Sequence, residues 1–101
     1  MSEEHAQSTA AAHAYSLRSK AFLDQSKWAL AISDAQNALS LQGKASPQTV
    51  TMAYRSWVDA EEGQGSHPTR IISILQTWFK AQPQYRTKLK GEITDWVQRT
   101  S

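Results

Sequence analysis

The chain has 101 residues, which is enough for one domain of ordinary size and excludes a second independent core. Hydrophobic residues make up 40% of it, so a packed core is expected rather than wholesale disorder. The lack of cysteine excludes a disulfide scaffold, a thiolate metal site and a cysteine nucleophile. A formal net charge of +2 does not indicate a strongly charged binding partner.

The first nine residues are small and polar, with an acidic pair at Glu3 and Glu4. They predict a flexible N-terminal arm over 1–9. The start has no basic and apolar segments of a secretory signal, and no apolar run approaches the roughly 20 residues of a membrane helix. We therefore expect a soluble protein of the cytoplasm, or of the nucleus or an organelle matrix, without membrane insertion.

Apolar residues recur at helical spacing along the rest of the chain, and no segment alternates like a strand. This periodicity predicts an all-α domain with helices at about 10–24, 27–41, 47–62, 68–81 and 83–98. The connections are short, so consecutive helices are expected to pack as antiparallel neighbours.

Helix boundaries are predicted from proline, serine and glycine residues that favour helix ends. Pro47, Pro68 and Pro83 are expected to open the last three helices, where the missing N–H of proline costs nothing. Ser26 is expected to cap the N-terminus of the second helix. Gly43 is expected to end that helix in a left-handed conformation.

Each of the last four helices carries one tryptophan on its apolar stripe. These four side chains are expected to anchor the core: Trp28, Trp57, Trp78 and Trp96.

The first two predicted helices alternate large and small residues at spacings that let the helices approach closely. The first helix carries Tyr15, Ser19 and Phe22, and the second carries Trp28, Ala31 and Ala38. This arrangement over 12–43 closely resembles a tetratricopeptide repeat.

The segment 47–82 matches the same pattern less well, since Asp59 stands where the family has an aromatic residue. We interpret it as a degenerate second repeat and 83–98 as a capping helix. The resemblance implies antiparallel helical hairpins in a short right-handed solenoid, a single domain over 10–99. Two repeats bury their faces only on their neighbours, so the cap is expected to be needed for stability.

The resemblance implies a protein–protein interaction function, as an adaptor or a small scaffold subunit of a larger complex. The partner, another protein or a peptide segment, is expected in the concave groove formed by the first helix of each repeat. The candidate contact residues there are Leu17, Lys20, Thr51, Tyr54 and Arg55.

One alternative is a cochaperone that holds an acidic chaperone tail with a carboxylate clamp, as some members of the family do. Arg55 matches the clamp arginine. Leu17 and Thr51 stand where the clamp has asparagine and lysine, so the clamp would be degenerate.

A second alternative is binding of nucleic acid or an acidic surface through a basic C-terminal patch. The patch consists of Lys80, Arg86, Lys88 and Lys90. No aromatic residue is expected to interleave the exposed basic face, which argues against stacking on single-stranded bases. Nucleic acid is therefore the less favoured partner.

Enzyme chemistry has little support in the sequence. The glycine-containing stretch 63–66 follows a helix and lacks the rest of a phosphate-binding loop. The three histidines have no metal-ligand spacing. The adjacent Glu61 and Glu62 are interpreted as the solvated acidic end of a helix. We therefore expect no catalytic residues, no metal site and no cofactor.

Overall fold

The structure is a computed structural model that describes residues 2–100, and the side chains of 7–41 and 43–100. Five α-helices follow one another: α1 (Ser2–Asp24), α2 (Trp28–Leu39), α3 (Pro47–Gly63), α4 (Pro68–Ala81) and α5 (Arg86–Thr100). Short 3-10 turns lie at Gln42–Lys44 and Pro83–Tyr85. No strand occurs within this described range, which confirms the all-α prediction. None of the helices in it has the length and apolar character to cross a membrane.

The first helix is longer than the sequence predicts. Helix α1 begins at Ser2, so residues 2–9 of the expected arm are helical, and Met1 lies outside the described residues. The alanines that precede Tyr15 have the highest intrinsic helix propensity and carry the helix toward the N-terminus. The Thr9 hydroxyl also donates to the Lys44 carbonyl at 2.6 Å, which fixes this part of α1 to the connection before α3.

The two hairpin turns share one backbone motif. After α1, Ser26 adopts a left-handed φ of 59°, and the Lys27 N–H donates back to the Phe22 carbonyl at 2.9 Å. After α3, Gly65 has a φ of 78°, and the Ser66 N–H donates to the Glu61 carbonyl at 2.9 Å. Both are Schellman turns, which satisfy the last carbonyls of the preceding helix.

The predicted N-cap at Ser26 is therefore wrong, because this residue closes α1 instead. Lys27 occupies the N-cap position of α2 and makes no side-chain capping hydrogen bond. Gly43 is likewise not left-handed, since it lies inside the 3-10 turn that follows α2.

The prolines open helical segments, with one difference from the prediction. Pro47 and Pro68 stand in the first turns of α3 and α4 as expected. The Ser46 hydroxyl caps α3 by accepting from the Thr49 N–H at 3.2 Å. Pro83 opens a 3-10 turn instead, and α5 begins three residues later at Arg86.

Small side chains line the contacts among α1, α2 and α3. The buried residues there are Ala12, Ser16, Ser19, Ala31, Ala35, Ala38 and Ala53. The Ser19 hydroxyl donates to the Ala31 carbonyl at 2.6 Å, and the Ser16 hydroxyl to the Thr49 carbonyl at 3.1 Å. These bonds satisfy the buried hydroxyls of Ser16 and Ser19, so the three helices approach closely at these positions.

Large side chains fill the contacts of α3 with α4 and α5. The buried cluster consists of Val50, Tyr54, Val58, Ile71, Ile74, Leu75, Trp78 and Leu89. Trp78 is the buried member of the four tryptophans, and Trp28, Trp57 and Trp96 are half-buried. Helix α3 therefore joins a layer of small residues on one side to a core of large ones on the other.

Two glycines in helices should respond in opposite ways to alanine. A Cβ on Gly63 would lie 2.7 Å from ring atoms of Trp28, whereas a Cβ on Gly91 would meet no atom within 4 Å. We expect Gly63→Ala to lower the free energy of unfolding by about 2 kcal/mol, because the rigid indole must move. Gly91→Ala should raise it by about 0.5–1 kcal/mol by restricting the unfolded chain. Urea denaturation measures both, and equal changes in the two variants would contradict this packing.

Candidate functional site

An open groove of about 370 Å³ runs along the exposed side of α3. Its walls come from three separate parts of the chain: the C-terminal half of α1, most of α3 and the 3-10 turn before α5. The lining residues are Lys20, Leu23, Gln48, Thr51, Met52, Arg55, Ser56, Asp59 and Tyr85.

Apolar side chains form part of the groove surface. Leu23, Met52 and Tyr85 line the groove and are each half-buried, so part of their apolar surface faces solvent. Burial of such surface by a partner is favourable by about 25 cal/mol for each Å² removed from water.

A polar network fixes one end of the groove. Thr51 Oγ1 lies 2.9 Å from both the Pro47 carbonyl oxygen and Gln82 Oε1, and 3.3 Å from the Tyr85 hydroxyl. The buried Gln82 amide donates to the Pro47 carbonyl at 3.0 Å and accepts from Trp78 Nε1 at 2.8 Å. These bonds hold the end of α4 and the following turn against the start of α3. The chain's own hydrogen bonds therefore set the shape of this end of the groove.

Arg55 is held in the groove wall by contacts on several sides. Its two terminal nitrogens donate to the two carboxylate oxygens of Glu92 at 3.0 and 2.6 Å. Asp59 lies 3.5 Å away, and the guanidinium sits 4.8 Å from the centre of the Trp78 ring. Burial lowers the pKa of Arg55, but the hydrogen bonds and charges of Glu92 and Asp59 outweigh it, so the pKa is raised. The guanidinium is therefore charged, oriented and already paired.

Lys20 is the other cation of the groove. Its ammonium lies 3.4 Å from Asp24, one turn further along α1, and both side chains are more than half exposed. A pair in this setting contributes at most about 1 kcal/mol.

The structure brings together three of the five predicted contact residues: Lys20, Thr51 and Arg55 line the same groove. Leu17 is 50% exposed on α1 but does not line it. The prediction that Tyr54 contacts a partner is wrong, because its side chain is buried in the core, with its ring 5.8 Å from that of Trp78. The helical spacing places Tyr54 beside Arg55, but it turns toward α4.

Within the predicted basic patch, Lys88 lies on a different face of α5 from Arg86 and Lys90. Arg86 and Lys90 line one shallow depression together with Asp95, and Lys80 lines another with Phe79. Lys88 stands about 160° around α5 from Lys90, because each helical residue turns the chain by about 100°. The two depressions adjoin, because the Arg86 guanidinium lies 5.9 Å from the centre of the Phe79 ring.

A buried carboxylate lies at the α3–α4 turn, where the sequence predicts a solvated acidic end. Glu61 is fully buried, whereas Glu62 is exposed. The Glu61 carboxylate accepts hydrogen bonds from four side chains: Trp57 at 3.1 Å, Gln64 at 3.0 Å, Ser66 at 2.5 Å and Arg70 at 2.6 Å.

These donors decide the protonation of Glu61. Burial raises its pKa, but the hydrogen bonds from Ser66, Arg70 and Trp57 together lower it more, so the pKa lies below 4.5. The carboxylate is therefore ionised at neutral pH and ties the turn to both helices. Its four partners lie within nine residues of it along the chain. This local cluster of hydrogen-bond donors is the feature of the sequence that could have indicated a buried carboxylate here.

No group of three or more histidine, cysteine, aspartate or glutamate residues that could hold a metal ion occurs within the residues that the structure describes. His67 instead caps α4, with its Nδ1 accepting from the Thr69 N–H at 3.1 Å. No family of proteins, no curated protein and no solved structure matches the chain significantly.

Proposed function

We propose that this protein is a protein–protein interaction module, an adaptor or small scaffold subunit that binds a segment of its partner in the groove along α3. The observation that carries the proposal is the groove itself. Its apolar residues come from two helices and a turn that are distant in sequence, and internal hydrogen bonds fix its end. A preformed surface of this kind loses little conformational entropy when it binds.

The resemblance to tetratricopeptide repeats supports the same function. The α1–α2 and α3–α4 hairpins close with the same left-handed turn, at Ser26 and at Gly65. This agrees with one repeat over 12–43, a second over 47–82 and α5 as the cap. The groove then lies on the first helix of each repeat, where the family binds its ligands.

A charge introduced at the apolar surface of the groove tests the proposal. Met52→Glu places a carboxylate beside Leu23 and Tyr85, and we expect it to weaken partner binding at least tenfold, which is about 1.4 kcal/mol. The matched control is Gln36→Glu, because Gln36 is exposed on α2 and does not line the groove. Tagged wild-type and variant proteins are purified from the cells that express them, and the proteins that co-purify with each are compared by quantitative mass spectrometry.

The expected result is a small set of proteins retained by the wild type and by Gln36→Glu but lost with Met52→Glu. A folded Met52→Glu protein that retains the same set as the wild type would contradict the proposal. Circular dichroism at the same temperature establishes whether the variant is folded.

A further inference from the structure

We infer that the partner segment is uncharged where it contacts the groove and is anchored there by a single apolar side chain. The inference rests on the proposed function and names the chemical class of its ligand. It follows from how the chain already neutralises its own groove charges.

Arg55 offers little to an acidic ligand. Both oxygens of Glu92 already accept from its two terminal nitrogens, and the Arg55 side chain is only 31% exposed. The bidentate arrangement is the strongest geometry for an arginine–carboxylate pair. A partner carboxylate would have to share a guanidinium whose charge Glu92 and Asp59 already neutralise, so it gains little.

Lys20 does not change this balance. It is paired with Asp24 and exposed to water, where screening keeps an added ion pair weak. The charges in and beside the groove are two cations, Lys20 and Arg55, and three carboxylates, Asp24, Asp59 and Glu92. Their sum of −1 disfavours an acidic segment. A basic segment would have to share carboxylates that Lys20 and Arg55 already pair, so it also gains little.

The uncharged part of the groove is the part left to bind a ligand. Leu23, Met52 and Tyr85 present apolar surface, and the exposed Gln48 offers an amide that can donate to and accept from a peptide backbone. An apolar side chain of the partner would complete this apolar surface. Orientation would then come from amide hydrogen bonds rather than from ion pairs.

A random 12-residue peptide library displayed on phage tests the inference with the full chain. Binders to the wild-type protein are kept only if they fail to bind Met52→Glu. We expect these groove-dependent sequences to share an apolar residue with uncharged flanking residues. Groove-dependent sequences rich in acidic or basic residues would overturn the inference while supporting the proposed function. If no sequence distinguishes the two proteins, the proposed function itself fails.

Two matched variants test the role assigned to Glu92. The probe is an acidic peptide ending in Glu-Glu-Val-Asp, measured by calorimetry in 50 mM and 300 mM NaCl beside a selected neutral peptide. Removal of the carboxylate by Glu92→Gln should free Arg55 and strengthen binding of the acidic peptide by about tenfold at low salt. Binding of the neutral peptide should change by less than about twofold.

The control is Glu62→Gln, since Glu62 is exposed and lies outside the groove, and it should affect neither peptide. Unchanged affinity of Glu92→Gln for the acidic peptide would overturn the inference. So would a wild-type protein that binds the acidic peptide more tightly than the neutral one and loses that affinity with salt.

Discussion

Trp78→Ala should lower the free energy of unfolding by about 4 kcal/mol, which is near the upper end for a single substitution in a protein core. The indole is 2% exposed at the centre of the C-terminal core and stacks on Tyr54 with ring centres 5.8 Å apart. It also supports the Arg55 guanidinium and donates to Gln82. Since domains of this size are stable by about 5–15 kcal/mol, this loss is roughly a quarter or more of the total stability.

Trp78→Phe distinguishes the contribution of the buried ring to stability from the contribution of its hydrogen bond. It keeps most of the buried apolar surface but removes the N–H that Gln82 accepts, so it should cost about half as much as alanine or less. Urea denaturation at pH 7 measures both variants. A loss below about 1.5 kcal/mol for Trp78→Ala would contradict the placement of this side chain in the core.

Glu61→Gln should lower the free energy of unfolding by about 3 kcal/mol, although it changes only one atom of the side chain. The substitution leaves the Arg70 charge unpaired and turns a group that only accepts hydrogen bonds into one that also donates. Trp57, Gln64 and Ser66 all donate to the present carboxylate. Glu62→Gln is the control, because this neighbour is exposed, and it should cost less than about 0.5 kcal/mol.

The loss of stability caused by Glu61→Gln should become smaller as the pH falls. The pKa of Glu61 is lower in the folded protein than the ordinary value of 4.5. Its network therefore adds stability above pH 4.5, and this stability is lost as the pH falls through the lower folded-state pKa. The difference between wild type and Glu61→Gln should shrink from pH 7 to pH 3. A difference that is constant or grows toward acid would contradict an ionised, hydrogen-bonded Glu61.

The helices were largely predictable because local chemistry sets their positions. Pro47 and Pro68 open helices since proline needs no N–H partner in a first turn, and the apolar period of 3.6 residues sets the buried faces. The turns were harder to predict. Ser26 has a good N-cap side chain, but the chain reversal into α2 requires a left-handed residue at that position. Serine adopts this conformation at a steric cost, which the rest of the structure offsets.

The candidate site was predictable only in part. The resemblance to tetratricopeptide repeats pointed to Thr51 and Arg55, but it could not show that Tyr54 turns into the core or that Glu92, 37 residues away, reaches Arg55. Likewise, Glu61 and Glu62 look alike in the sequence. The turn geometry buries one of them among donors and leaves the other in water. Such pairings depend on contacts between helices, which the period of a single helix does not specify.

The most direct test of the groove as the partner site is a photo-crosslinking measurement in the cells that express the protein. The photoreactive residue p-benzoylphenylalanine replaces Met52 in one version and Gln36 in the other. We expect a discrete crosslinked adduct from position 52, which Leu23→Glu in the same protein should abolish, and none from position 36. Equal crosslinking from the two positions, or adducts from position 36 alone, would contradict it.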